Sequence, residues 1–402
     1  MFKKLQFLGF VFLLLGHIAI SQSRDSYVIM ISIDGMRNDY TEIHDAINLK
    51  QFASSGAIAK SMLPSFPSKT FPNHYTLVTG MYPEHHGIIA NTFYDPASKM
   101  TYRGSNPNTV QDGKWYGGTP LWVVAEQQNI KTGCYFWIGS EAEIQDVRPS
   151  YYKSYDENIP ETKRVEQVVD WLKLPESDRP RFITLYFELV DDAGHNFGPL
   201  APETKSTVQQ IDSIIGQLND QVAKLNLPVN FVLVSDHGMI QVDQENPIDI
   251  TGILPKEGVT VVPGDTFILL HSEDENLIDE TYNNLKLFAR DFDVYKKGFL
   301  PDNFHFNSTP LAGDLTLIAR APKVFGIMGS AIKPGAHGYN STIPEMGGSF
   351  IAWGPDIKKD ITIEPFENIH VFPLIARILN LDISSLEIDG RLEVLKEILK
   401  ED

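Results

Sequence analysis

Cysteine is almost missing: Cys134 is the only one in 402 residues, so no internal disulfide can form and burial alone must hold the fold. A chain of this length can bury one large core or two smaller ones. Positive charge is also short, with 34 Lys and Arg against 52 Asp and Glu and a formal charge of −18. No basic stripe exists to displace counterions, which weighs against duplex nucleic acid as a partner. A phosphate substrate would need local cations, and bound metal supplies them. Internal repeats and low-complexity tracts are lacking.

Long apolar runs are confined to the N-terminus. Lys3 and Lys4 precede the run Leu5 to Ile20, which ends at Ala19-Ile20-Ser21, the pattern of a signal peptide over residues 1–21. Gly16 and His17 interrupt a run already short for a retained anchor. No later segment suits a membrane span, so the expectation is an exported protein, periplasmic or extracellular, without stable membrane insertion. Export without disulfides fits a bacterial chain better than a eukaryotic secreted one. Cys134, inside GCYFWIG, reads as a small buried residue.

Three apolar, β-branched runs carry the chemistry. Tyr27 to Ile33 ends in Asp34-Gly35, Phe182 to Val190 runs into Asp191-Asp192-Ala193-Gly194-His195, and Asn230 to Ser235 ends in Asp236-His237-Gly238. Continuous runs of this kind predict buried parallel strands, hence an α/β fold with a mostly parallel central sheet flanked by helices. Acids at the carboxyl ends of such strands take ligand positions, and independent turns would not put Asp34, Asp191 and Asp236 at one edge. Pro334-Gly335-Ala336-His337-Gly338 adds another imidazole. Within SKTFPNHYTLVTG, Pro72 suits a first helical turn and sets Thr70 at a helix start, where backbone N–H groups favour a phosphate. Asn91 offers an amide donor.

Other elements are expected as follows: a helix from Ile43 to Ser55, a strand near Ile58, a surface excursion over 92–118, a helix from Leu121 to Gln128 and a strand from Thr132 to Ile138. Pro149 to Ile159 reads as a loop whose Tyr151, Tyr152 and Tyr155 are open to a ligand or sheltered in the core. Thr207 to Leu225 has a helical period. Residues 251–333, with short strands Thr266 to Leu270 and Leu315 to Ala319 around a helix Glu275 to Arg290, read as an inserted α+β cap. The catalytic core is then 22–250 and 334–402, closing with a strand Gly348 to Trp353, a helix Ile369 to Leu379 and a terminal helix Leu386 to Leu399.

Asp34, Thr70, Asp191, His195, Asp236, His237 and His337 together exceed one tetrahedral site. Mixed carboxylate and imidazole ligands favour zinc or a similar ion, and the number suits two. Coordination would also make a neutral threonine nucleophilic.

The chain resembles the nucleotide pyrophosphatase/phosphodiesterase family of the alkaline phosphatase superfamily. The matching pieces are IDGMR at 33–37, KTFPNHYTLVTGMYPEHHGI at 69–88 with Asn91, VDDAGHNFGP at 190–199, SDHGM at 235–239 and GAHGYN at 335–340. The resemblance implies an alkaline-phosphatase-like fold and two Zn2+ ions. One would be held by Asp191, His195 and His337, the other by Asp34, Asp236, His237 and Thr70. Thr70 would form a phosphothreonine, with Asn91 and the Phe71 N–H on the non-bridging oxygens and the base between Phe71 and Tyr155. The implied substrates are nucleoside triphosphates, dinucleotides and nitrophenyl nucleotide esters, cleaved to nucleoside 5′-monophosphates. Choline-phosphate or lysophospholipid diesters and phosphate monoesters are the alternative. The sulfatase pattern C/S-x-P-x-R is missing.

Overall fold

The computed structural model describes residues 25–326 and 331–401, so the expected signal segment at 1–21 lies outside them. Tyr27–Ile33, Phe182–Phe187 and Val229–Val234 are buried at every position, as strands covered on both faces must be. They form the middle of an eight-stranded sheet. From edge to edge its order is Ile361–Ile363, Ala57–Ala59, Phe350–Trp353, Val229–Val234, Tyr27–Ile33, Phe182–Phe187, Thr132–Tyr135 and Tyr151–Lys153. Tyr27–Ile33 is parallel to both neighbours, and Phe350–Trp353 is antiparallel to the two beside it. Ile33 lies opposite Phe187 and Ser32 opposite Val234, so all three central strands end at one edge.

Side chains alternate across the pleat. Val28 and Met30 face a core closed by the helices Thr70–Thr79, Leu121–Gln127 and Val371–Leu379. Ile29, Ile31 and Ile33 face the opposite core, under Ile47–Ser54, Glu161–Leu172 and Pro202–Ala223. A second, antiparallel sheet is ordered Thr260–Val262, Phe267–His271, Leu315–Ala319, Phe292–Lys296 and carries the helix Glu275–Phe288. Asp274 caps that helix, accepting from the N–H groups of Asn276 and Leu277. Its apolar cluster continues into Ile240, Ala336 and Met346 of the larger unit, and we propose 251–333 as the inserted cap. Among the described residues no helix is long and apolar enough to cross a membrane.

Several expectations need correction. The helix Ile43 to Ser55 is two, Tyr40–Ile43 and Ile47–Ser54, broken at Asp45, whose φ is 58°. The strand from Thr132 stops at Tyr135 because Phe136 is left-handed at φ 65°. The strand from Phe182 stops at Phe187, and the helix Leu189–Phe197 follows with Asp191 and Asp192 in its first turn, where acids complement the dipole. Tyr151–Lys153, expected in a loop, is an edge strand. Residues 92–118 are no mere surface excursion: the hairpin Thr92–Asp95 and Met100–Arg103 packs, with Phe93, Tyr102, Trp115 and Tyr116 buried. Pro202–Ala223 starts earlier than its period suggested, with Pro202 in the first turn. The terminal helix is replaced by single 3₁₀ turns at Leu392–Val394 and Lys396–Ile398. There the N–H groups of Asp389 and Gly390 both donate to Gly80 O, which pins the chain and leaves too few residues for a stable α-helix.

Candidate active site

Thr70 opens the helix Thr70–Thr79 at the sheet edge where the acids emerge. The preceding residue, Lys69, is extended, and no side chain caps the helix. The turn before it is instead braced by buried Asn73. Its Oδ1 accepts from Ser65 N–H at 2.7 Å, and its Nδ2 donates to the carbonyls of Ser65, Pro67 and Lys69. Thr70 Oγ1 thereby comes within 3.4 Å of His237 Nε2.

Two trios of possible metal ligands lie there: Asp34 with Asp236 and His237, and Asp191 with His195 and His337. Within each trio the ligand atoms are within 4.8 Å of one another. His237 Nε2 is 2.9 Å from Asp236 Oδ2 and 3.4 Å from Asp34 Oδ1. His195 Nε2 is 3.4 Å from Asp191 Oδ2, the two residues being one helical turn apart, and His337 Nε2 is 3.6 Å from Asp191 Oδ1. The trios adjoin, because the His237 and His337 rings stack with centroids 3.5 Å apart. Gly35 makes this closeness possible: its φ is +67°, and a Cβ there would sit 2.8 Å from Asp191 Cα.

The residues fit cations on chemical grounds. His195, His237 and His337 each direct Nδ1 at a carbonyl, those of Gly335 (2.7 Å), Gly238 (3.0 Å) and Ser68 (2.7 Å). A carbonyl only accepts, so each Nδ1 carries the proton and each Nε2 turns a lone pair inward, the arrangement metal-binding histidines adopt. The Nε2 atoms of His195 and His337 then face each other at 3.1 Å with no proton between them. Asp34 Oδ1, Asp191 Oδ1 and Asp236 Oδ2 are buried without a hydrogen bond. Converging lone pairs and orphaned carboxylate oxygens repel one another until a cation lies among them.

The ionisation equilibria carry the same stress. Burial, then the charges of Asp236 and Asp191, push Asp34 well above the usual carboxylate range. Burial would also raise Asp236, but His237 and His74 hold it below its ordinary value. Burial opposes charge on His237, yet Asp236 overrides it and makes the ring more basic. Burial first, then the neighbouring His237 and Lys69, pull His337 well down.

Sequence reasoning passes over several supporting groups. Tyr186 OH donates to Asp34 Oδ2 at 2.6 Å, and Gly35 N–H donates to Asp236 Oδ1 at 3.3 Å. Lys69 Nζ reaches Asp265, in the loop before the second-sheet strand Phe267–His271, at 2.7 Å. The one available signal was the hydroxyl-bearing Tyr186 next to the end of a buried strand.

Beside Thr70 opens a cavity of about 730 Å³ whose walls include Phe71, Phe136, Trp137, Tyr155 and Tyr186. Phe71 and Tyr155 thus share one cavity, whereas Tyr151 hydrogen-bonds Asp178 O and Tyr152 lies against Arg148, both off its walls. Tyr155 is held by its N–H donating to Glu141 Oε1 at 2.9 Å. The Phe71 ring lies over Gly104, where a Cβ would come within 2.6 Å of it. Asn91 Oδ1 accepts the Phe71 N–H at 2.9 Å. That N–H, expected to meet phosphate oxygens directly, is therefore engaged, and the Asn91 Nδ2 hydrogens remain as donors.

A profile of the family described as type I phosphodiesterase / nucleotide pyrophosphatase matches residues 28–340. Human ectonucleotide pyrophosphatase/phosphodiesterase family member 1 is 35% identical over 88% of this chain and 40% of its own length. A venom phosphodiesterase of Macrovipera lebetinus is 34% identical over 89% of the chain and 43% of its own length. The chain thus spans about two fifths of these relatives. An uncharacterised pyrophosphatase/phosphodiesterase of Schizosaccharomyces pombe is 33% identical, with 77% of its length covered. Among solved structures, murine ectonucleotide pyrophosphatase/phosphodiesterase 5, an inactive threonine-to-alanine form in complex with AMP, superposes with a TM-score of 0.89 at 28% identity. It covers 93% of this chain and 100% of its own.

Proposed function

Since the chain belongs to the type I phosphodiesterase/nucleotide pyrophosphatase family, we propose that it is a phosphodiesterase cleaving nucleotide phosphodiester or pyrophosphate bonds to nucleoside 5′-monophosphates. The observation that carries this reading is the placement of Thr70 Oγ1 between two acid–imidazole trios and an aromatic-walled cavity. Asp191, His195 and His337 would hold one cation, and Asp34, Asp236 and His237 the other, zinc being the ion their mixed ligands suit best. When bound, such ions neutralise the phosphate charge and lower the pKa of hydroxyl and water.

The chain's own groups do the rest. The Thr70 hydroxyl gives up its proton to solvent and its Oγ attacks phosphorus in line; the new P–O bond forms as the bond to the leaving oxygen breaks, and that oxygen departs with the electron pair and takes a proton from solvent. Water then attacks the phosphothreonine; the bond from phosphorus to Thr70 Oγ breaks, the monophosphate leaves, and one proton of the water passes through solvent to restore the threonine hydroxyl. The Phe71 N–H fixes the Asn91 amide so that Nδ2 meets a non-bridging oxygen, a donor typically worth about 10²–10³ in rate. Phe71 and Tyr155 would clasp the base from either side, at about 1–3 kcal/mol per base and with little choice among bases. The names of the relatives, ectoenzymes and venom enzymes, support an exported protein.

Turnover of nitrophenyl thymidine phosphate, nitrophenyl phosphorylcholine and nitrophenyl phosphate decides the substrate class. The nucleotide ester is expected to lead. A dominant choline ester overturns the nucleotide reading, and a dominant monoester overturns phosphodiesterase activity.

A further inference from the structure

His74 is wholly buried one helical turn after Thr70 and belongs to neither trio. Its Nδ1 lies 2.9 Å from Thr70 O, and its Nε2 lies 2.7 Å from Ser32 Oγ. The carbonyl can only accept, so Nδ1–H donates to it and Nε2 accepts from the Ser32 hydroxyl. Ser32 stands two residues before Asp34 on the central strand. The same Nδ1 is 3.4 Å from Asp236 Oδ2, at the end of the neighbouring strand. Trp137 and Tyr186 close on the ring edge-to-face at 5.2 and 5.1 Å, and Trp137 Nε1–H donates to His74 O at 3.0 Å.

We propose that His74 is the positioning residue of the nucleophile: it ties the carbonyl of Thr70 to the strand that delivers Asp34 and so fixes where Thr70 Oγ1 points. This rests on Thr70 being the nucleophile. The uncapped helix start leaves Thr70 held through its backbone, by the His74 ring on its own carbonyl and, one residue back, by the Asn73 amide on Lys69 O. Asn73 sets the path of the chain into the helix. His74 sets the height and rotation of the first turn relative to the strand ends. A nucleophile displaced by about 1 Å loses on the order of 10² in rate while substrate binding is spared.

A second histidine near this helix supplies the control. His86 is just as buried and bonds Thr76 Oγ1 at 2.9 Å, but it touches neither Thr70 nor a strand end. If His74 were only a satisfied core residue, the two would behave alike.

The experiment measures kcat and KM with nitrophenyl thymidine phosphate, the melting temperature and the bound metal for His74→Leu, His74→Asn, His86→Gln and Thr70→Ala. His74→Leu is expected to lose roughly 100-fold in kcat, with KM and metal content within about twofold. His74→Asn, whose amide nitrogen can still reach Thr70 O, is expected to recover about tenfold of that loss. His86→Gln is expected to lower the melting temperature and spare kcat. A folded His74→Leu protein with wild-type kcat overturns the proposal, as does equal loss in His74→Leu and His74→Asn. Should His74→Leu fail to fold, Ser32→Ala decides: it removes only the anchor, so a severalfold fall in kcat at constant KM supports the proposal and an unchanged kcat overturns it. Turnover surviving in Thr70→Ala instead refutes the nucleophile itself and is read separately.

Discussion

Substituting Gly104 by Ala tests the base clamp without touching a chemical group. A Cβ at 104 would lie 2.6, 2.8 and 2.9 Å from three carbons of the Phe71 ring, whereas carbon atoms in contact prefer about 3.5–4.0 Å. The added methyl therefore displaces the ring by roughly 1 Å. The Gly104 backbone does not need a left-handed φ, and its N–H bond to Asn91 O at 2.8 Å survives in alanine. All of the strain thus falls on the ring. Buried Tyr102 stands edge-on to Phe71 at 6.2 Å on the protein side, so the ring yields toward the cavity and tilts off the base. If stacking on one face is worth about 1–3 kcal/mol and half of it is lost, binding weakens by about 0.5–1.5 kcal/mol, a roughly two- to twelvefold rise in KM. Thr70 and Asn91 stay in place, so kcat should hold. The assay compares nitrophenyl thymidine phosphate with methyl nitrophenyl phosphate, which has no base. KM should rise for the first alone, the signature of lost uniform binding. An unchanged KM for the nucleotide ester refutes the placement of the base against Phe71, and a parallel rise for the methyl ester shows that the damage is general.

Thr70→Ala should abolish turnover while the melting temperature stays within about 2 °C, because the hydroxyl's nearest partner is a His237 contact at 3.4 Å; full activity would remove the nucleophile. Chelation should lower the melting temperature, and in the chelated protein Asp34→Asn should raise it, since relief of a buried, unpaired carboxylate is worth about 1–3 kcal/mol. Melting curves with and without chelator check this, and a further drop in the chelated variant would contradict it. Burial holds the His86 imidazole down at about 3, against about 6.5 when unfolded. The unfolded chain therefore binds more protons below about pH 6.5, and stability falls as pH drops from there, by about 2 kcal/mol near pH 5. In His86→Gln the stability difference between about pH 7 and pH 5 should shrink by that amount in denaturant titrations; an unchanged difference refutes the assignment.

What was legible in the sequence was whatever depends on a period or on a strand ending in an acid. The runs at Tyr27, Phe182 and Asn230 could only be buried strands, and parallel pairing then brought Asp34, Asp191 and Asp236 to one edge. The class of fold and the meeting of the three acids follow from that, whereas the division of the acids and histidines into two trios was read from the family resemblance. Boundaries decided by tertiary contact were not legible. Leu386 to Leu399 has a helical spacing, but Gly80, far away in sequence, claims the N–H groups of Asp389 and Gly390. The aromatics of 92–118 looked like loop residues because the cluster that buries Phe93 and Tyr102 is assembled across the hairpin. At the site the candidate ligands could be read because a metal needs particular side chains. Tyr186, Asn73 and His74 could not, because their partners are backbone atoms or ligands from other elements.

That division has a physical consequence. Each candidate carboxylate ligand has an oxygen short of a partner, while Tyr186, the Gly35 N–H and Asn73 are engaged. Asp34 has one oxygen satisfied by Tyr186 and one by nothing; Asp236 has one satisfied by Gly35 N–H and one left bare. The donors are arranged to orient the carboxylates and to stop short of neutralising them. A protein selected for stability alone would have completed these bonds, because a buried bare acceptor costs about 1–3 kcal/mol. The supporting shell therefore holds the repelling groups in place until a cation arrives, and affinity for it comes partly from relief of that repulsion. It follows that Tyr186→Phe, by freeing the second Asp34 oxygen, should let the carboxylate rotate and should weaken metal binding by about 10–100-fold, although it deletes no ligand. Equilibrium dialysis of zinc against the variant measures this directly. Wild-type affinity in that variant would mean that Asp34 is oriented by packing alone, and the argument from the orphaned oxygens would fail with it.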